Sequence, residues 1–145
     1  MSLKQIVFAS NNKGKIKEVE NIFAHFGIDV LPVPKSFDPV ETGNSFFDNA
    51  LIKAKEAASI TQQVALADDS GLMVDALEGK PGVHSSRYAE NDHARIDKLL
   101  DALKNIPDHK RSARFRCSMV LVDQNGNVLH SETADCEGTI AYQKS

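Results

Sequence analysis

Four apolar residues, Val64 to Ala67, run straight into Asp68-Asp69-Ser70-Gly71, and this stretch limits the fold more than any other. A short, wholly apolar run with a polar stop reads as a buried strand, and the Asp-Asp-Ser-Gly that follows predicts a turn at its carboxyl end. In open α/β sheets, that end of a strand is where ligands bind. Two neighbouring carboxylates repel each other, so a cation, a shared proton or water must relieve them, and a divalent metal is the natural choice. In isolation the same four residues also suit a solvated Asx turn. The doublet therefore gains meaning only from what the rest of the chain brings to it.

The chain begins with Gln5-Ile6-Val7-Phe8-Ala9, a β-branched and aromatic run that predicts a strand. Ser10-Asn11-Asn12-Lys13-Gly14-Lys15 forms a polar turn, and Ile16, Val19, Ile22, Phe23 and Phe26 then recur at helical spacing up to Gly27. The unpaired N–H groups and partial positive charge at a helix start make a phosphate seat, to which Lys13 and Lys15 add charge and Ser10, Asn11 and Asn12 add short polar contacts. The Walker pattern GxxxxGK[ST] is absent. An ordinary capped helix with solvated lysines satisfies the same residues. Ile28 to Val33 predicts a second short strand broken by Pro32 and Pro34. Phe47, Ala50, Ala54, Ala57, Ala58 and Thr61 share the face of a second helix, with Asn44 or Ser45 as N-cap and alanines that imply close packing. Glu41 precedes that helix, either as a partner of its dipole or as a metal ligand. Lys53 lies within the helix.

Beyond the Asp doublet, Leu72 to Leu77 is apolar and Gly79-Lys80-Pro81-Gly82 marks a turn. Ile96, Leu99, Leu100, Leu103 and Ile106 define a helix that stops before Pro107. Ala113, Phe115, Cys117, Met119 and Leu121 alternate with Arg114, Arg116 and Ser118 in a period-two strand. Asp123-Gln124-Asn125-Gly126-Asn127 is a hairpin turn, with its glycine at the fourth place where a calcium loop needs the sixth. Val128 to Cys136 returns as the partner strand. Cys117 and Cys136 show no metal spacing and are expected to be reduced core residues of a cytoplasmic protein. At 145 residues and 41% hydrophobic content, the chain is long enough for a single α/β domain over residues 1–145 with a real core, and two small lobes are also open to it. A net charge of -3 argues against binding a nucleic-acid backbone. The chain has no apolar run of membrane-spanning length and no signal-peptide core, which sets membranes aside as partners.

A lysine-bearing strand-to-helix turn, a glutamate before a second helix and an Asp doublet supply the phosphate seat, metal ligands and base that polyphosphate hydrolysis needs. The motifs are also specific. Ala9 to Lys15 with Glu18, Glu41-Thr42-Gly43 with Phe47-Asp48-Asn49-Ala50 and Lys53-Ala54, Ala67 to Leu72, Pro81-Gly82 with Ser85-Ser86-Arg87-Tyr88, and Ala113-Arg114-Phe115 together resemble the inosine triphosphatase or Ham1-like family of purine nucleoside triphosphate pyrophosphatases. They occur in family order and cover the chain from Gln5 to Ile140.

The resemblance implies an elongated mixed β-sheet with flanking helices and two lobes around a cleft, in a homodimer. It implies Mg²⁺-dependent conversion of ITP, dITP or XTP to the monophosphate and pyrophosphate, a cleansing of the nucleotide pool. Carried over by position, Ser10, Asn11, Asn12, Lys13, Gly14, Lys15 and Lys53 would contact the triphosphate and Ser70 the substrate. Glu41, Asp68 and Asp69 would hold the metal, with Asp69 also the general base. Family members continue after Glu-Gly-Thr-Ile into a GGFGYDPIF-type segment, a lysine and a Ser-His-Arg that read the purine base. This sequence stops at Ser145, so it is expected to be C-terminally shortened and to have weak, unselective activity. A non-catalytic polyphosphate-binding remnant is the alternative. A phosphatase with an aspartyl nucleophile fits less well, because Ser70 stands where its second aspartate would be.

Overall fold

The computed structural model describes residues 3–143, the side chains of Ser86 and Arg87 apart. Those two side chains, part of the Ser85-Ser86-Arg87-Tyr88 motif, lie outside the described residues. Strands β1 (Gln5–Phe8), β2 (Asp29–Leu31), β3 (Ala65–Val74), β4 (Lys80–Pro81), β5 (Ser112–Val122) and β6 (Val128–Thr139) form one mixed sheet. Its order is β2-β1-β3-β5-β6, with β4 paired to β3. Helices α1 (Lys13–Ala24), α2 (Phe46–Thr61) and α3 (Asp92–Ala102) complete the α/β fold. The residues group into two compact units, Met1–Asp69 with Ser118–Thr133 and Ser70–Cys117 with Ala134–Ser145.

In the first unit, β1 pairs in parallel with β2 on one side and with β3 on the other, through Val7↔Ala65 and Phe8↔Leu66. A parallel sheet is stable only when both of its faces are covered, and the pleat of β1 divides its side chains accordingly. Ile6 and Phe8, with Leu66, meet Ile16, Val19 and Phe23 of α1. Val7 and Ala9, with Ala65 and Ala67, meet Ala50, Ala54, Ala57 and Ala58 of α2. All four alanines of α2 are fully buried, so the helix lies close on the sheet and leaves no room for larger side chains. Ala54→Leu is therefore expected to cost about 1–3 kcal/mol by overpacking. A lower urea midpoint with an unchanged slope would show this, and an unchanged midpoint would contradict it. Ser45 caps α2 by accepting the Asp48 N–H at 3.0 Å.

In the second unit, Val74, Leu103 and Ala113 form a core with Leu72, Leu77, Leu99, Ile106 and Ile140 against it. The Pro81-Gly82 and Ser85 motifs meet β3 here. Ser85 Oγ accepts the Leu72 N–H at 2.9 Å and donates to the Gly82 carbonyl at 2.7 Å. A Cβ on Gly71 would stand 2.4 Å from that Oγ, so the approach requires glycine.

Several expectations need correction. The strand expected to end at Ala67 runs on through Asp68-Asp69-Ser70-Gly71 to Val74. Its far half is held by Met73↔Pro81 and Val74↔Lys80 pairing with β4, which overrides the turn preference of the doublet. Ile22 and Phe26 are 56% and 72% exposed. Ile22 lies about 90° round from the Ile16, Val19 and Phe23 face at 100° per residue, and Phe26 follows the helix end. On β5 the buried positions include Ser118, Val120 and Val122, while Phe115 and Met119 are exposed. Val120 and Val122 join the alanine core and Leu121 packs on the opposite core, so a strand covered on both faces does not follow single-face alternation. Cys117 and Cys136 are free thiols, but Cys136 is exposed and only Cys117 is partly buried, because β6 is exposed along its whole length.

Candidate functional site

Strand β1 sends the chain through α1 to β2 on one side, and α2 then returns it to β3 on the other. The carboxyl end of β1, between β2 and β3, is thus a topological switch point, where open α/β sheets bind ligands. Strand β1 stops at Phe8, where the Ala9 N–H bonds the Leu66 carbonyl at 2.8 Å. Because β3 continues beyond that point, Asp68 and Asp69 stand past the end of β1 beside the start of α1.

The polar turn builds that start. Asn12 caps α1 by accepting the Lys15 N–H at 3.1 Å, and its own N–H is bonded to Ser10 Oγ at 3.0 Å. Asn11, Lys13 and Gly14 are exposed at the helix N-terminus, and Lys15 is half-buried. Lys15 Nζ reaches Asp68 Oδ2 at 2.8 Å. From α2, Lys53 Nζ lies 3.8 Å from Glu41 Oε1 and 3.8 Å from Asp69 Oδ1. Five of the expected residues thus fall into two charge groups carried by neighbouring residues of β3: Lys15 with Asp68, and Lys53 with Glu41 and Asp69. Ser70 follows as the first residue of the second unit.

Among these residues Asp69 is the perturbed group. Burial raises its carboxyl above the ordinary value. Lys53 and the nearby polar side chain of Asn49 pull against that rise, whereas Glu41 and Asp68 reinforce it by repulsion. Its Oδ2 is buried and lacks a hydrogen-bond partner among the described residues. A carboxyl in this state has an oxygen free for a proton and a pKa moved toward working pH, both of which suit a general base.

Among the described residues no three His, Cys, Asp or Glu side chains form a ready metal cage. Magnesium does not require one, because it binds through one or two carboxylates together with phosphate oxygens and water. In chemical type the residues fit such an ion, since Glu41, Asp68 and Asp69 supply the hard carboxylate oxygen atoms that it takes.

Asn49 belongs to the site although the sequence reading assigned it no role. It is 2% exposed on α2, one turn before Lys53. A polar residue at a buried helical position is the signal that could have found it.

A sequence profile of the Ham1 family matches residues 6–145. A dITP/XTP pyrophosphatase of Desulforamulus reducens is 44% identical over 142 residues, covering 94% of this chain and 70% of that protein. A dITP/XTP pyrophosphatase of Yersinia pestis is 43% identical over 150 residues, covering 97% and 75%. The Ham1 protein structure from Staphylococcus aureus superposes with a TM-score of 0.87 at 38% identity, over 98% of this chain and 74% of that one. A HAM1 protein from Coxiella burnetii gives a TM-score of 0.88 at 40% identity, over 97% and 75%.

Proposed function

Because the chain belongs to the Ham1 family, we propose that it hydrolyses purine nucleoside triphosphates such as dITP, XTP and ITP to the monophosphate and pyrophosphate. Relatives named as dITP/XTP pyrophosphatases support the substrate class. The observation that carries the chemistry is Asp69, a half-buried carboxylate whose Oδ2 lacks a hydrogen-bond partner among the described residues, 3.8 Å from Lys53 and next in sequence to the Asp68 that Lys15 reaches from α1. In this reading the N-terminus of α1 and Lys15 receive the phosphates, and Asp69 takes a proton from the water that attacks the α-phosphorus. Lys53 keeps the charges of Glu41 and Asp69 compatible with each other. Glu41, Asp68 and Asp69 would hold Mg²⁺, which when bound neutralises phosphate charge.

The test is turnover of dITP and XTP with Mg²⁺, with ATP and GTP as controls. Pyrophosphate release supports the reading, and inorganic phosphate as the first product contradicts it.

The phosphate seat can be tested separately. Lys15→Ala is expected to weaken imidodiphosphate binding about 10- to 100-fold, as the loss of a charge-assisted hydrogen bond should. Lys15 is 40% exposed in its side chain but Asp68 only 11%, so the urea midpoint of the variant is measured alongside to separate lost affinity from lost stability. Calorimetric affinity equal to that of the unaltered chain would remove Lys15 from the seat.

A further inference from the structure

The chain between β2 and α2, residues 32–45, contains no helix or strand, yet it is fixed at two points. Phe37 is 5% exposed and sits in the core with Ala50, Ala54 and Val120. Further on, the Gly43 N–H donates to the buried Asn49 Oδ1 at 2.8 Å. The approach is tight: a Cβ on Gly43 would stand 2.6 Å from Asn49 Oδ1, 2.6 Å from Asp48 Cβ and 2.9 Å from the Asn49 backbone nitrogen. The last of these atoms belongs to the main chain of α2, so any side chain at position 43 would push the loop off the helix.

Glu41 lies between the two points, with its Oε1 3.8 Å from Lys53 Nζ. Asn49 and Lys53 both lie on α2, and at i and i+4 they stand one turn apart on the same face. The contacts of Gly43 with Asn49 and of Glu41 with Lys53 thus lay the loop along that face, against the helix direction, before Ser45 turns it into the first turn. Val40, next to Glu41, is 74% exposed and adds no anchor.

We propose that residues 38–42 are a strap pinned at Phe37 and Gly43, and that these two residues position Glu41 as a metal ligand. The inference rests on the reading of Glu41 as a ligand of Mg²⁺. A pinned loop has given up its conformational freedom before the ion arrives, so binding does not have to order it. Loosening either pin moves that cost to the binding step. Groups that orient a metal ligand are worth about 10- to 100-fold in metal affinity.

The test is binding of Mn²⁺, a paramagnetic stand-in for Mg²⁺, read by EPR at a fixed, saturating concentration of imidodiphosphate. Gly43→Ala and Phe37→Leu are each expected to weaken Mn²⁺ binding about 10- to 100-fold. In a Glu41→Gln background the same substitutions should cost nothing further, because the ligand they position is gone. A cost that persists undiminished there belongs to the general structure and would overturn the proposal. Full affinity in Glu41→Gln itself removes the metal reading, and the proposal with it. Affinity lost in Glu41→Gln but kept in either loop variant removes the proposal alone.

A further measurement needs no variant and no ion. The Gly43 amide of the unaltered chain should exchange slowly with solvent by NMR, and exchange at the rate of an open loop would contradict the pin.

Discussion

Asp69→Asn is expected to lower turnover of dITP by about 10²- to 10⁴-fold, the usual cost of losing a general base, while leaving the protein at least as stable at neutral pH. The two halves of this expectation have one cause. Burial, aided by Glu41 and Asp68, disfavours the charged carboxylate in the folded chain and raises its pKa, while Lys53 and Asn49 offset only part of the effect. For an acid whose folded pKa lies above the unfolded one, the folded state holds the proton over a range where the unfolded state has released it. Stability therefore falls as pH rises through that range, and at neutral pH the charged Asp69 is a net cost. Asparagine removes the charge and the cost together. It also removes the basic oxygen, and with it the acid limb of the rate profile, which in the unaltered chain should lie above the ordinary aspartate value of 3.8. Near-normal turnover in Asp69→Asn would remove Asp69 from the base role, and a lower melting temperature would contradict the account of its burial.

Arg111→Met is expected to have the largest effect on stability, about 3–5 kcal/mol. Arg111 is 1% exposed and its guanidinium is held by backbone carbonyls. Its Nε donates to Ile140 O at 2.8 Å and Nη2 to Ala141 O at 2.8 Å. Nη1 donates to Ile106 O at 3.0 Å and also to Leu103 O. The ring of Tyr142 lies 4.0 Å from the guanidinium carbon. Leu103 is the C-cap of α3, where carbonyls carry the negative end of the helix dipole. The cation thus joins the end of α3 to the segment after β6. A methionine would leave several buried carbonyls without donors, and the compact ammonium of Arg111→Lys lacks the planar fork needed to serve them together. Hydrogen exchange should show lost protection in α3 and at the Ile140 N–H, which bonds Arg111 O at 2.9 Å. Protection unchanged in Arg111→Met would contradict this role.

The parts of the fold that were legible in the sequence are those fixed by local periodicity. The strand, turn and helix from Gln5 to Ala24, the alanine face of α2 with its Ser45 cap, and the Asp123–Asn127 hairpin follow from spacing and turn chemistry. The rest depends on residues distant in sequence. Asp68-Asp69-Ser70-Gly71 carries the local signature of a chain break, yet pairing further along β3 keeps it extended. The inward face of β5 depends on which layers cover it, and α2 and α1 cover both sides near Val120 to Val122. Resemblance to a family named the site residues, whereas the strand register explains why Asp68 and Asp69 stand beside α1. Arg111 stayed hidden because its partners are backbone carbonyls, which any residue type supplies.

Products formed from dITP and Mg²⁺ in ¹⁸O-enriched water, read by phosphorus NMR and mass spectrometry, test the central claim most directly. Attack of an Asp69-activated water on the α-phosphorus places one ¹⁸O in the nucleoside monophosphate and leaves the released pyrophosphate unlabelled. Label in the pyrophosphate, or release of inorganic phosphate in its place, would contradict the account.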